Sequence, residues 1–166
     1  MRGWRLGVAA ELEVVPGGVT AAAGFLAGAA RCGLRKPGDP RPDLALVVSE
    51  GPAAAAGVFT RNRVQAAPVQ VTREHLRRGR LRAVVANAGV ANACTGERGL
   101  ADARRMAAVA AESLGLAGPE EVAVASTGVI GAYLPLERVA AGIREAASRL
   151  GREGGAEAAL AITTTD

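Results

Sequence analysis

Two short segments carry the residue types with which this sequence could do chemistry, Asn87 to Gly96 (NAGVANACTG) and Ser126 to Gly131 (STGVIG). Each follows an apolar run, Leu81 to Ala86 and Glu121 to Ala125, that reads as a strand. Small residues at such a junction let a substrate approach the backbone, and free N–H groups in a glycine turn bind an oxyanion. In that reading Thr127 offers a hydroxyl and Gly128 an amide to the charge that develops on an acyl oxygen. A tight turn between a strand and a helix accounts for the same Thr-Gly pair without chemistry, and pattern alone favours that plainer reading. If the two strands are neighbours, both segments open on one rim.

Other chemistries find less support. No glycine cluster matches GxxxxGK[ST], and no GxGxxG opens a helix after a strand, which argues against ATP or NAD binding through those signatures. His75 lies in a basic segment and reads as a solvated side chain rather than a general base. Cys94 has no evident base and reads as a small buried thiol. Cys32 and Cys94 lack CxxC spacing, and with one histidine no His-rich metal site is expected. The chain thus offers oxyanion donors and polar loops but no persuasive nucleophile or base.

The elements that must position these segments follow from the rest of the pattern. The 166 residues, 49% hydrophobic and 22% charged, fit one domain or part of a larger one and exclude a disordered tail. Aromatics are 2%, so the core must be built from Ala, Val, Leu and a few Ile. Strands are expected at Asp43 to Ser49, Ala56 to Thr60 and Pro68 to Thr72, besides the two above, with a basic turn region from Arg35 to Pro42. Thr72 is expected to cap a short helix ending before Gly79. Longer helices are expected at Leu100 to Leu114, stopped by Gly115, and at Leu136 to Leu150, stopped by Gly151. Ala156 to Ala161 adds one or two helical turns, and the final Ile162 to Asp166 looks like the start of a strand. This order suits an α+β fold with helices on a mixed or mainly antiparallel sheet, with a doubly wound sheet as the alternative.

The net charge of +4 is a weak basic bias, carried by arginine, since Lys36 is the only lysine. The densest run, Arg73 to Arg82, includes Glu74 and no aromatic, so a nucleic-acid surface is not expected. The longest apolar stretch, Val19 to Ala30, falls short of the roughly 18 to 20 residues of a membrane span. Residues 1–15 lack the order of a secretory signal, and a cytoplasmic protein with reduced thiols is expected.

Taken in order, five stretches resemble the ornithine acetyltransferase family, the bifunctional glutamate N-acetyltransferases of arginine biosynthesis. They are Gly18 to Lys36, Ala56 to Val69, Asn87 to Gly96, Ser126 to Glu137 and the terminal AITTTD, Ala161 to Asp166. Ala88 and Val90 depart from a family pattern closer to NSGNANACTG, and Thr163 stands where the family usually has Met.

The resemblance implies a precursor that cuts itself into α and β chains, with the new N-terminal threonine of β as nucleophile. It implies an α+β fold that is part of an αββα sandwich, incomplete in this chain. Acetyl passes from N-acetylornithine to that threonine and then to glutamate, releasing ornithine; some members also accept acetyl-CoA, and no other cofactor is implied. On the matching positions Thr127 and Gly128 would form the oxyanion hole and Thr164 would contact substrate, with Thr165 as the register-shifted alternative. The family's nucleophile and its substrate-binding lysine lie beyond Asp166, and Lys36 is not their substitute. Residues 1–166 are then expected to be a single α-chain segment ending before the cleavage point, inactive alone and partnered by the downstream β chain in a hetero-oligomer. A truncated, inactive structural partner, or a related self-cleaving aminopeptidase or amidase, are the rival readings. An exposed strand edge and poor solubility of the isolated chain are also expected.

Overall fold

The computed structural model describes residues 15–164. Thr165, the alternative substrate contact, and Asp166 lie outside them, as do residues 1–14. Four strands, β1 (Phe25–Ala30), β2 (Leu44–Ala54), β3 (Arg80–Val90) and β4 (Val122–Val129), form one sheet in that order. The pairs β1/β2 and β2/β3 are antiparallel and β3/β4 is parallel, so the sheet is mixed, as the α+β expectation has it, and not doubly wound. A parallel neighbour requires a crossover, which helix α2 (Gly96–Leu114) supplies.

The helices segregate by the size of the side chains beneath them. Helices α1 (Ala67–His75), α2 and α3 (Leu136–Ser148) cover one face, where Leu44, Leu46, Val85, Val122 and Val124 meet Met106, Val109, Val139 and Ile143. Helix α4 (Gly155–Ile162) covers the β1/β2 half of the other face mainly through alanines, Ala158 and Ala161 on Ala27, Ala29 and Ala45, with half-buried Val47 beside them. The small residues that set the tone of the composition therefore let a helix approach closely. The β3/β4 half of that face has no helix over it, and Val84 and Val129 are exposed there.

Both outer strands are bonded along their free edges. Thr72 Oγ1 accepts the Val124 N–H at 2.8 Å and donates to the Val124 carbonyl at 2.7 Å. His75 Nδ1 lies 2.7 Å from the Val122 carbonyl; since a carbonyl only accepts, Nδ1 carries the proton. At the other edge Ala27 exchanges two backbone bonds with Gly151, of 3.1 and 3.0 Å. The expected open edge is thus absent at these positions; what remains open is half of a face.

Several expectations need correction. Pro68 to Thr72 is not a strand but part of α1: its buried positions, Ala67, Pro68, Val71 and His75, keep helical spacing, and Pro sits in the first turn where its missing N–H costs nothing. Thr72 is spent on β4 rather than on a cap, although the helical segment does stop at Gly79, in the left-handed region with φ 68°. Ala56 to Thr60 is no strand either, because it finds no ladder partner among the described residues; Val58 is wholly exposed. The expected strand at Asp43 to Ser49 exists and runs on to Ala54 as β2, and Phe25–Ala30 adds one that the pattern does not suggest. His75 is buried, not solvated, and Cys94 is exposed, not buried. The chain after Ile162 leaves the helix extended at Thr163, without pairing as a strand among the described residues.

The helices expected at Leu100 to Leu114 and Leu136 to Leu150 are present, the first beginning four residues earlier, at Gly96, and stopped by Gly115, left-handed at φ 62°; the second ends at Ser148, before Gly151, which is extended and pairs with Ala27 instead of capping the helix. Among the described residues no helix is long and apolar enough to cross a membrane.

Candidate active site

The two chemistry-bearing segments begin as strand rather than loop. Strand β3 continues through Asn87–Val90 and β4 through Ser126–Val129, and they pair in parallel, Ala88 with Thr127, Gly89 with Gly128 and Val90 with Val129. Glycine makes this possible. Gly89 (φ 115°) and Gly128 (φ 131°) both adopt backbone that other residues avoid. A Cβ on Gly128 would sit 2.2 Å from the Gly89 carbonyl carbon, and one on Gly89 would sit 2.4 Å from the Leu34 carbonyl oxygen. Three backbones therefore converge where only hydrogen fits. The repeated Gly-Val step, Gly89-Val90 and Gly128-Val129, is the sequence signal that could have revealed this pairing.

The polar residues of the first segment turn inward. Asn87 Nδ2 donates to the Val90 carbonyl at 2.9 Å, and its Oδ1 accepts from Ser126 Oγ at 2.6 Å, which ties the two strand ends together. Asn92, in the left-handed region with φ 48°, donates to the Gly99 carbonyl and accepts from Thr95 Oγ1, holding the turn into α2. Asn87, Asn92 and Thr95 are all buried and hold the junction together; of this segment only Gly89 lines the cleft that Thr127 and Gly128 also border. Ala88 and Val90 are buried too, so the polarity missing there would have lain in the interior.

The second segment faces outward. Thr127 and Gly128 are exposed and line a cleft of about 740 Å³ together with Gly89, Val129, Leu34, Thr164 and the charged residues Arg35, Lys36, Asp39 and Arg41. Such a volume suits a small-molecule ligand. The structure thus brings Thr127, Gly128 and Thr164, all singled out in the sequence, to one opening. Arg41 holds Asp39 by its Nε at 3.1 Å, its Nη2 at 2.7 Å and its backbone N–H at 3.0 Å, and these bonds keep the Asp39 carboxyl well below the usual carboxylate range. With that acid matched, Arg35 and Lys36 leave the opening cationic.

The far wall is the segment between β1 and β2, and sequence reasoning missed what fixes it. Buried Asp43 accepts the N–H groups of Cys32 and Leu34, each at 2.6 Å, and Arg138 of α3 donates to the Cys32 carbonyl at 2.8 Å and to the Gly33 carbonyl. The Cys32 thiol is pushed up to about 12 by burial and by the neighbouring Asp43 carboxylate, which keeps it protonated and inert. Among the described residues no cluster of three or more potential metal ligands occurs.

The model of the ArgJ family matches residues 26–166. The chain belongs to the ArgJ family. It is 57% identical over 155 residues to the arginine biosynthesis bifunctional protein ArgJ of Symbiobacterium thermophilum, covering 93% of this chain and 38% of that protein. It is 51% identical to the ArgJ of Mycobacterium tuberculosis, covering 90% of this chain and again 38% of that protein. The chain therefore spans well under half the length of the curated relatives it matches. Among solved structures, the ornithine acetyltransferase of Mycobacterium tuberculosis complexed with ornithine is 51% identical with a TM-score of 0.85, over 90% of this chain and 80% of that one. The ArgJ of Bacillus halodurans is 45% identical with a TM-score of 0.82, over 90% and 77%. At these identities the α+β fold described above is the fold of ArgJ over the shared part.

Proposed function

We propose that this ArgJ segment forms the oxyanion hole and one wall of the substrate pocket of an enzyme that transfers acetyl from N-acetylornithine to glutamate. The observation that carries the reading is the convergence of Thr127, Gly128 and Thr164 on one cationic cleft beside a backbone junction that only glycine allows. The attacking hydroxyl belongs to a β chain that begins with threonine, cut from the same precursor. Its α-amino group takes the hydroxyl proton as oxygen attacks the acetyl carbonyl, and passes it to the departing amine of ornithine. Thr127 Oγ1 and the Gly128 amide stabilise the oxygen that becomes negative in that step. Glutamate's amine then attacks the acetyl-threonine ester, which yields N-acetylglutamate and restores the hydroxyl. Acetyl-CoA would serve as a second donor by the same route.

In this reading residues 1–166 are one α-chain segment, partnered by the β chain in a cytoplasmic hetero-oligomer. The relatives support a divided protein: this chain covers 38% of the Mycobacterium tuberculosis ArgJ but 80% of the solved chain from that organism, so the solved chain is about half as long. The test uses the full-length protein, with the residues beyond Asp166 included. Mass spectrometry of that protein should find a second polypeptide starting with threonine. Thr127→Ala should lower kcat for acetyl transfer roughly 10²- to 10³-fold with little change in melting temperature. An unchanged rate would remove Thr127 from the oxyanion hole.

A further inference from the structure

A helix ends with carbonyls that have no partner within it. At the end of α4 these carbonyls are met by an arginine from far along the chain: Arg35 Nη2 lies 2.6 Å from the Thr163 carbonyl, 3.0 Å from that of Ala161 and 3.3 Å from that of Leu160. The same guanidinium is oriented from its other side, where Nε donates to the Pro42 carbonyl at 3.1 Å. Pro42 directly precedes Asp43, whose carboxylate fixes Cys32 and Leu34, so the arginine springs from a braced wall. At Thr163 the backbone turns from helical to extended, with φ −65° and ψ 149°, and delivers Thr164 to the cleft that Thr127 and Gly128 also line.

We propose that Arg35 is a positioning residue of the acetyl-transfer site, clamping the end of α4 so that Thr164 faces Thr127 and Gly128 across the cleft. This rests on the acetyltransferase reading given above. Position matters because the two halves of the cleft come from different elements: Thr127 rides on a strand of the main sheet, whereas Thr164 trails from a helix held over alanines. Without the clamp the α4 terminus keeps only its local bonds, from the Thr163 N–H and Oγ1 to the Leu160 carbonyl. Arginine suits the task because its rigid plane carries donors on separate nitrogens, Nε fixed on the Pro42 carbonyl and Nη2 on the α4 carbonyls, whereas lysine's three donors all sit on one nitrogen at the end of a flexible stem.

The test is a double-mutant cycle in the full-length enzyme, read as KM for N-acetylornithine, kcat and melting temperature. Thr164→Val should raise KM roughly three- to tenfold by removing one substrate hydrogen bond. Arg35→Lys should raise KM by a similar factor with kcat little changed, and the double variant should be no worse than Thr164→Val alone. Multiplying effects, or a wild-type KM in Arg35→Lys with only a lowered melting temperature, would reduce Arg35 to a helix cap and overturn the proposal. Should Arg35→Lys not fold, Arg35→Ala assayed with added methylguanidinium decides: KM recovered by the guanidinium but not by methylammonium supports the clamp, and no recovery overturns it. A wild-type enzyme that transfers no acetyl group would sink the underlying reading, whereas multiplying effects in an active enzyme sink the role of Arg35 alone.

Discussion

The two faces of the sheet solve opposite problems with the same backbone. Under α1, α2 and α3 the strands present Leu44, Leu46, Val85, Val122 and Val124, large side chains that fill the space to helices of equally apolar stripe. On the other face the same strands present Ala27, Ala29 and Ala45 beneath α4, and beyond them a half with no helix over it, where Val84, Ala125, Thr127 and Val129 are exposed. The first face holds the fold together; the second keeps a surface free and brings a helix terminus close enough to border a cleft. Small residues on a sheet are thus a sign of close approach rather than of a weak core. Alternation along a strand lets one segment serve both ends: in β4, Val122 and Val124 are core, and Thr127 opens on the cleft.

The contrast breaks most severely where both faces meet, at the glycine pair. Gly128→Ala places a methyl group against the Gly89 backbone and forces an unfavourable φ of 131°, which should cost roughly 3–6 kcal/mol from strain and overlap together. Chemical denaturation of the full-length protein would measure it, and a variant of wild-type stability would show that the strands separate there without penalty. On the packed face, Leu46→Ala should cost about 2–5 kcal/mol through lost burial and the cavity left behind. Across the same strand, Ala45→Leu should cost about 1–3 kcal/mol for the opposite reason, since α4 has no room to spare over Ala45. Equal tolerance of Leu at both sites would erase the distinction between the faces.

How far the amino-acid pattern discloses this arrangement depends on how local the cause is. The helices at Leu100 to Leu114 and Leu136 to Leu150 are legible because an apolar stripe is a property of one segment, as is the glycine stop at Gly115; Gly151 stops no helix, because it is taken up by pairing with Ala27 of β1. Pro68 to Thr72 misleads because two valines separated by one glutamine fit a strand or the turn of a helix, and five residues are too few to separate the periods. Asn87 to Val90 and Ser126 to Val129 look like loops because each is polar and glycine-bearing alone; that they form a ladder depends on Gly89 facing Gly128, which no single segment states. The family motifs point to Thr127, Gly128 and Thr164, which the cleft brings together, whereas Arg35 and Asp43 are illegible because they act through partners distant in the chain. Cys94 is misplaced for a like reason: an isolated thiol carries no signal of depth, and only packing makes Cys32 buried and Cys94 exposed.

The smallest effect tests the packed face for a flaw. Asp102 lies on α2 with one carboxylate oxygen buried and without a hydrogen-bond partner among the described residues. Arg98, one turn earlier, is the nearest compensation, but its guanidinium stacks on the Tyr133 ring, 4.1 Å from the centroid. Burial raises the Asp102 carboxyl above its ordinary value, and Arg98 lowers it only in part. A carboxyl whose folded pKa lies above its unfolded one binds protons more tightly in the native state. The stability it contributes is therefore complete below the unfolded value, roughly 3.9, and is lost as pH rises through the folded value. Asp102→Ala removes both the orphaned oxygen and this titration, and alanine favours helix. The variant should be more stable at neutral pH by ~0.5–1.5 kcal/mol, with its advantage shrinking as pH falls towards 4. Thermal melts of both proteins across pH 4 to 8 would measure the gap, and one that stays constant with pH would mean that Asp102 is ionised at no cost where it sits.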